Sequence, residues 1–437
     1  MCFTFGHARH LIAPLAIERY FGLKVALSMS DPELIRSIDK TNIDKTPFRS
    51  SAQSSKYVSI SEFEFKSDWE ILKSLTGVVA SDDLDDYELV SGTDSVSLYT
   101  DVTLARLPRI ADRLLAAYAD DAYKTKYPWI DYIVPIRDKS VRALLDQVAI
   151  DKVNRREFDD TWIAPPAMVP YANFGGFCYR KVRTRDGNTQ PVSLDLDLES
   201  CLTVKGLLDS LTVAKSKSSQ IRLFDANDQE IESWSIYLCL NVEAEHEGRK
   251  YLLNEGTWYA IDRNFVADIE AYFEEFDRST LPLPPYGGRH EPAYLIHASE
   301  SGDFLLMDQK FVRLSGASSS FEFCDLLTRD NHIVHVKKYS SSSVLSHLFS
   351  QAFVSAESLA RSAEVVEQVN SHLRPDTDHT FVFDSQTQPR PATIVLGIMQ
   401  KRAGDLHMPF FSKVNFKQYS QRLIDMGYKV ALQKIPL

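Results

Sequence analysis

The chain has 437 residues, of which 44% are hydrophobic and 25% are charged, and its formal net charge is −11. This length exceeds that of a typical single domain, so we expect two or three domains. The composition is typical of a folded protein rather than a disordered one. The acidic balance excludes a surface coated with basic residues for unspecific nucleic-acid binding, but it allows a local basic patch.

The cysteines indicate a reducing compartment. They number five and include no Cys-x-x-Cys pair, so the sequence indicates neither a disulfide framework nor a zinc ribbon. No apolar run approaches the ~18 residues of a membrane span. The first ten residues, MCFTFGHARH, lack the apolar core of a signal peptide. We therefore expect a cytoplasmic protein without a membrane segment.

Residues 1–165 predict a mixed α/β domain. Asp31 followed by Pro32 is typical of a helix start, with the aspartate as N-cap. A capping-box pattern from Ser67 predicts a second helix that ends near Gly77. The other predicted elements of this part are strands at 1–5 and 23–27 and a helix over 103–119.

Residues 166–280 predict a β-rich middle domain. Val192, Leu194, Leu196 and Leu198 alternate with polar residues, which is the period of a half-buried strand. Further strands are predicted at 220–224, 234–243, 249–253 and 257–261, and a helix is predicted over 265–276.

A linker is predicted at 281–288, LPLPPYGG, because three prolines and two glycines break regular structure there. Residues 291–437 then predict a mixed sheet with helices packed on it. The predicted elements are a helix at 291–300, strands at 303–314, 320–327 and 332–339, a helix from 343, strands at 379–384 and 392–400, a helix at 414–426 and a strand at 428–434.

The candidate site lies in the predicted hairpin FEFCDLLTRDNHIVHVKKY, residues 321–339. Alternate residues of a strand share a face, so His335 and Lys337 face either water or a site together. Asp325 ends the first arm, three residues after Glu322. On a regular strand these two carboxylates face opposite sides, so a bulge or a bend is needed to bring them together.

Carboxylates from adjoining strands can hold Mg²⁺ or Mn²⁺, which prefer oxygen ligands. A lysine beside such a metal can activate water or hold a phosphate, which is a route to phosphodiester hydrolysis. We therefore predict Asp325 and Glu322 as metal ligands and Lys337 as a catalytic residue. His335 is predicted to act as a ligand, a base or a phosphate donor.

The hairpin resembles the PD-(D/E)xK nuclease superfamily, in particular the Mrr-like restriction endonucleases, which carry an acid on one strand and a [D/E/Q]-x-Lys tripeptide on the next. The resemblance covers residues 291–437 and rests on Asp325, Lys337 and the order of the elements. It implies a restriction-endonuclease-like α/β domain with metal-dependent endodeoxyribonuclease activity. His335 departs from the tripeptide, since imidazole is a poor Mg²⁺ ligand and suits softer ions. An ordinary hydrogen-bonded strand histidine is the alternative interpretation.

The end of the chain is basic, in contrast to the whole. Residues 401–437 contain seven Lys or Arg and two Asp, a local net charge of 7 − 2 = +5. This asymmetry predicts a face that meets phosphates. The alternative is an exposed helix whose lysines only aid solubility. The residues predicted to contact nucleic acid are Lys338, Ser343, His347, Gln351, Lys413 and Lys417.

The chain as a whole is similar to a sporadically distributed family of uncharacterised bacterial proteins. The resemblance is carried by ERYFGLKVALS, YPWIDYIVPIRD, SWSIYLCL, the hairpin with the helix after it, and FFSKVNFKQYSQRLIDMGYKVAL. Members usually begin further upstream, which implies that a segment before residue 1 is missing. A patchy distribution is typical of mobile defence genes, so the resemblance implies a role against phage or foreign DNA.

Three functions therefore stay open for this α+β multidomain chain. The first is a metal-dependent nuclease acting on DNA. The second is a catalytically inactive module of the same fold that binds DNA or RNA. The third is the scaffold of a defence system, in which residues 1–280 recognise a protein partner.

Overall fold

A computed structural model describes most of the chain and shows helices mixed with several small sheets, which confirms the α+β class. The chain divides into two compact units. Unit 1 contains Met1–Arg156 and Trp162–Arg263, and unit 2 contains Glu157–Thr161 and Asn264–Leu437. The described residues are 1–4, 8, 11–12, 17–42, 49–65, 70–79, 89–99, 103–121, 123–180, 193–313, 320–339, 342–373 and 392–437.

Unit 1 begins with helix α1 (Phe21–Met29) and a five-stranded sheet. The strands are β1 (Ser30–Asn42), β2 (Arg49–Val58), β3 (Glu70–Val79), β4 (Leu89–Gly92) and β5 (Val96–Tyr99). They are antiparallel and lie in the order β2-β1-β3-β4-β5. Leu23 and Leu27 of α1 are buried against Ile38 and Leu75 of this first sheet.

The rest of unit 1 contains two more sheets and several short helices. Its helices are α2 (Leu107–Ala119), α3 (Tyr123–Lys126), α4 (Lys139–Asn154), α5 (Leu198–Lys205), α6 (Val213–Ser218) and α7 (Ile236–Cys239). Its strands are β6 (Ile133–Pro135), β7 (Thr161–Ile163), β8 (Phe174–Cys178), β9 (Gln220–Asp225), β10 (Glu230–Ser235), β11 (Leu240–His246), β12 (Arg249–Asn254) and β13 (Thr257–Ile261). The second sheet has the order β6-β13-β12-β11-β7, and the third has the order β10-β9-β8.

The element types predicted at the start of the chain are wrong. Residues 23–27 belong to helix α1 rather than a strand, because a short apolar run is compatible with either structure. The segment after Asp31 is strand β1 rather than a helix. Pro32 is tolerated there because the register of β1 against β3 shifts between Ser30 and Ile35, and such a bulge accommodates a residue without an N–H.

Three further predictions in unit 1 are wrong in whole or in part. The strand predicted at 234–243 is interrupted by helix α7, which separates β10 from β11. The helix predicted up to Gly77 is strand β3, whose Leu72 and Leu75 have helical spacing but are buried in the centre of a sheet; Ser67 lies outside the described residues. Of the strand predicted at 192–198, residue 192 lies outside the described residues and Ser193 makes only an isolated β-bridge with Phe177. The segment ends at Leu198, where α5 begins, because Asp197 caps that helix by accepting from the N–H of Ser200 at 2.8 Å.

Several predictions are confirmed. The helix over 103–119 corresponds to α2, and the strands at 220–224, 249–253 and 257–261 correspond to β9, β12 and β13. Residues 1–4 have no regular structure, and residue 5 lies outside the described part, so nothing supports the strand predicted there.

Unit 2 contains a five-stranded mixed sheet. Its helices are α8 (Arg263–Glu275), α9 (Glu291–Ser299), α10 (Ser342–Arg361), α11 (Ala363–Leu373) and α12 (Phe410–Asp425). Its strands are β14 (Phe304–Leu306), β15 (Phe311–Arg313), β16 (Ser320–Glu322), β17 (Leu326–Thr328), β18 (His332–Lys338), β19 (Thr393–Met399) and β20 (Lys429–Ile435). The order is β14-β17-β18-β19-β20, with β15 and β16 paired separately.

Helical crossovers explain the parallel half of this sheet. Strands β18, β19 and β20 are parallel neighbours, with α10 and α11 between the first two in sequence and α12 between the last two. Strand β17 is antiparallel to both β14 and β18.

From 291 to 437 the described elements follow the predicted succession of helices and strands only in part. The strands predicted at 303–314 and 320–327 are each divided into two short strands, β14 with β15 and β16 with β17, that belong to different sheets, and a second helix, α11, follows α10. The strand predicted at 379–384 lies outside the described residues.

Both faces of the sheet are covered. Ile333 of β18 belongs to a core with α10 and α12, whereas Val334 and Val336 belong to a second core with α9 and Tyr286. Each face of β18 therefore packs against apolar side chains, so the central residues of this strand are buried whichever face they occupy.

The division into three domains stays a prediction. Within unit 1, β6 comes from residues 1–165 and pairs with β13 from residues 166–280. The boundary predicted at 165 thus lies inside a compact unit that the two segments share. Across the described residues, no helix is long and apolar enough to cross a membrane.

Candidate functional site

The first arm of the hairpin is interrupted between Glu322 and Asp325. Strand β16 ends at Glu322 and β17 begins at Leu326, so residues 323–325 do not follow the alternation of a strand. This interruption is the bend that the sequence analysis required for the carboxylates of Glu322 and Asp325 to point toward the same site.

Three carboxylates meet at this bend. Single oxygens of Asp308, Glu322 and Asp325 lie within 4.8 Å of one another. Asp308 is brought there by the backbone, because the N–H groups of Met307 and Asp308 donate to the carbonyl of Asp325 at 2.9 and 3.2 Å. The donor set consists of oxygens alone, which fits Mg²⁺ or Mn²⁺ rather than a softer ion.

Asp325 is the most deeply placed of these acids. It is 6% exposed, and its Oδ2 accepts the backbone N–H of Val336 at 2.6 Å. Burial raises the pKa of Asp325 to about 7 against the opposing effects of this hydrogen bond and of Lys337, and Glu291 and Glu322 raise it further. The carboxyl group is therefore poised to ionise fully when a positive charge is added next to it.

Lys337 forms an ion pair with Glu291, the first residue of α9. Burial alone would lower the pKa of Lys337, but the hydrogen bond and charge of Glu291, with Asp325 and Glu322, raise it overall. The ammonium group is therefore a stable cation. Its charge acts on the pKa of Asp325, so the predicted acid and lysine share one electrostatic environment.

His335 faces the protein core rather than water. It is 3% exposed, and by strand alternation it shares its face of β18 with Ile333, which packs against α10 and α12. Burial, with a smaller effect from Lys337, lowers its pKa to about 3, so the imidazole is neutral. Its Nε2 has no hydrogen-bond partner among the described residues, and it is not part of the carboxylate cluster.

Helix α10 brings one predicted nucleic-acid contact to the site. His347 has an exposed side chain that still loses part of its hydration. This partial burial and the charge of Lys337 lower the pKa of His347, against the opposing effect of Glu291, so the imidazole lies in the field of that ion pair. Gln351 is half-buried one turn further along the helix. Of Ser343 only the backbone is described, in the first turn of α10.

The three predicted lysines have different environments. Lys338 lies over the ring of Tyr286, with 5.7 Å between its Nζ and the ring centre. Lys417 is half-buried over another tyrosine ring. Lys413 is 8% exposed and forms an ion pair with Glu270. Because its charge is paired away from water, we leave Lys413 out of the nucleic-acid surface proposed below.

Sequence reasoning missed Asp308 and Glu291. Asp308 follows the short strand β14 in a turn, and Glu291 begins the helix predicted after the linker. The only available signal was that acids often lie at the ends of elements in such a domain. Neither residue lies at a sequence separation from Asp325 or Lys337 that a local pattern would reveal, because tertiary contacts bring them together.

The family comparison covers the whole chain. Residues 1–436 match the Family of unknown function (DUF6119), and the chain belongs to that family. No curated protein and no solved structure matches this chain.

Proposed function

We propose that unit 2 contains the active site of a metal-dependent nuclease that acts on DNA. The observation that carries this proposal is the convergence of Asp308, Glu322 and Asp325 in the same electrostatic environment as Lys337. Acidic oxygens beside a charged lysine are what the hydrolysis of a phosphodiester requires.

The topology supports the same reading. Asp325 lies just before β17, and Lys337 lies on β18, the antiparallel neighbour of β17 in a mixed sheet. This is the relation of acid and lysine that the resemblance to the PD-(D/E)xK superfamily implies. A restriction-endonuclease-like fold for residues 291–437 is part of the proposal.

Each residue has a distinct proposed role. Asp308, Glu322 and Asp325 would hold the divalent ion, which when bound supplies positive charge to a phosphate oxygen and acidifies water. Lys337 stabilises the negative charge of the scissile phosphate, because its raised pKa keeps it protonated. Glu291 is a positioning residue that holds the ammonium group in place.

Nucleic acid would approach from the exposed side of α10. His347 offers a neutral imidazole next to Lys337, and Lys338, Ser343, Gln351 and Lys417 complete the proposed contacts. We further propose a role in defence against phage or foreign DNA, which rests on the sporadic distribution implied by the sequence resemblance.

The test is cleavage of plasmid DNA by the full chain in Mg²⁺ or Mn²⁺. We expect wild-type protein to cleave, Asp325→Asn to lose at least 100-fold in rate, and Asp330→Asn to behave as wild type. Asp330 is an exposed acid in the turn of the same hairpin, so it is a matched control. Equal cleavage by wild type and Asp325→Asn would refute the proposed site.

A second function is favoured by the pairing of Lys337 and the burial of His335. Glu291 already neutralises the lysine, and a buried neutral imidazole stands where related nucleases carry Glu, Asp or Gln. A wild-type protein that binds DNA or RNA but cleaves neither in either metal would be the inactive binding module. Failure to bind nucleic acid at all would favour the partner-recognition scaffold.

A further inference from the structure

A polar cavity of about 280 Å³ lies in unit 1, apart from the carboxylates of unit 2. Both the first and the second sheet supply side chains to it. Strand β1 contributes Asp39, and strand β3 contributes Lys73 and Ser74. Strand β13 contributes Tyr259, and Glu255 comes from the turn before that strand.

A β-bulge turns Lys73 into the cavity. In the pairing of β1 with β3, Asp39 lies opposite Ser74 and Lys40 lies opposite Leu72, so Lys73 is the extra residue. Consecutive side chains of a regular strand point to opposite faces, whereas Lys73 and Ser74 both line the cavity. Bulges of this kind re-aim a side chain and are common beside functional sites.

The cations of the lining are engaged by carboxylates. Glu255 forms ion pairs with Arg49, which lies outside the lining, and with Lys73, whose Nζ is 3.4 Å from Oε2. Arg19, which also lines the cavity, forms an ion pair with Asp94. Each positive side chain of the lining therefore already has a negative partner.

Asp39 is the third carboxylate of the lining, and its charge is not compensated. Its Oδ2 accepts from the hydroxyl of Ser74 at 2.6 Å, and among the described residues neither a lysine nor an arginine pairs with it. With three carboxylates against two cations, the lining is net acidic. A carboxylate oxygen offers two lone pairs, so acceptors remain open at all three acids. Because Asp39 is half-buried, a positive charge beside it is screened less than at an exposed site.

Two aromatic rings form one wall of the cavity. The rings of Tyr20 and Tyr259 meet edge to face with 6.1 Å between their centres, and both residues line the cavity. The Nζ of Lys73 lies 5.6 Å from the ring centre of Tyr259. The face of a phenol ring attracts cations, so this wall suits an ammonium group and the carbon atoms that carry it.

We propose that this cavity binds a small organic amine in its protonated form. The ammonium group donates to the open oxygen of Asp39, and the carbon atoms lie against the rings of Tyr20 and Tyr259. An ammonium group has three donors and no acceptor, which matches a lining with acceptors to spare. Because ~300 Å³ is the lower end for pockets that enclose a drug-sized ligand, the cavity accommodates a short amine.

The test is calorimetric titration of the full chain at pH 7 with ethanolamine, putrescine and butylamine, with butanol as the uncharged counterpart of butylamine. We expect at least one amine to bind and butanol not to bind. Asp39→Asn keeps an oxygen for the hydroxyl of Ser74 but removes the charge. It should weaken that amine by a factor of about ten or more, which is the value of a hydrogen bond to a charged group. Asp228→Asn, an exposed acid of the same unit, is the matched control and should bind as wild type.

The proposal is overturned if none of the three amines binds, if butanol binds as tightly as butylamine, or if Asp39→Asn leaves the affinity unchanged. Should Asp39→Asn fail to fold, Lys73→Met decides. It removes a positive charge from the cavity while Arg49 still pairs with Glu255, so the amine should bind about twofold tighter or better. Unchanged or weaker binding by this variant refutes the site. DNA cleavage does not enter this test, so it stands or falls independently of the proposed nuclease.

Discussion

Replacing Asp325 with Asn should stabilise unit 2 at alkaline pH in the absence of metal. The carboxyl is buried and its pKa is raised from 3.8 to about 7, mainly by burial. Asn has the same shape and can still accept the N–H of Val336, but it carries no charge to bury.

The magnitude follows from linkage between protonation and folding. One pKa unit corresponds to 1.36 kcal/mol, so a shift from 3.8 to about 7 costs the ionised wild type about 4 kcal/mol. Because the pKa of Asp325 is higher in the folded state, the stability that its protonated carboxyl contributes to wild type is fully present below about pH 4 and is lost as the pH rises to about 7. The advantage of Asp325→Asn should therefore grow by about 3 kcal/mol between pH 5 and pH 8.

The assay must report on unit 2 alone. Met307 is fully buried in that unit, and its backbone N–H donates to the carbonyl of Asp325. Peroxide oxidation of Met307 at increasing urea, followed by mass spectrometry in EDTA, gives the free energy of unfolding around the site. Asp330→Asn serves as the control, since its carboxyl is exposed.

An advantage that is equal at pH 5 and pH 8 would refute the reasoning, because a charge effect must follow ionisation. A destabilised Asp325→Asn at pH 8 would do the same. Either result would mean that the carboxyl is not desolvated as the structure shows.

Three further outcomes are expected. Mg²⁺ or Mn²⁺ should protect Met307 from oxidation in wild type but not in Asp325→Asn, and equal protection would place the ion elsewhere. His335→Gln should be tolerated, whereas His335→Glu should cost about 2–7 kcal/mol without metal, because it buries a carboxyl group that has no partner and becomes protonated. Recovery of stability and cleavage in Mg²⁺ would show that position 335 can join the metal site, and no recovery would assign the histidine to packing. Lys413→Met should destabilise unit 2 by about 1–3 kcal/mol through its lost ion pair and leave DNA affinity unchanged, whereas Lys417→Met should weaken DNA binding without loss of stability; the opposite pattern would contradict the assignment of these lysines.

Local patterns predicted unit 2 well. Most of its helices and strands lie near their predicted positions because turn signals bound them, such as the prolines at 282–285 or the turn between β17 and β18. The strands predicted at 303–314 and 320–327 are the exceptions, since each is divided into two strands of different sheets. Alternation along β18 also predicts that His335 and Lys337 share one side of the strand. These features depend on residues close together in sequence, which is why the sequence alone determined them.

Local patterns failed where distant segments decide the outcome. The start of unit 1 has apolar spacing that fits helix or strand, and β3 is a strand because β1 and β4 pair with it on either side. Alternation also could not say whether the face of His335 meets water or core, since that depends on helices α10 and α12 packing against it.

Only the tertiary structure assembled the candidate sites. Asp308 joins Asp325 through backbone hydrogen bonds, Glu291 reaches Lys337 from a helix 46 positions earlier, and Tyr20 meets Tyr259 across 239 positions. No local period connects such residues. Their proximity results from burial of apolar surface shared by whole elements, a global property of the fold that the spacing of side chains along the chain does not encode.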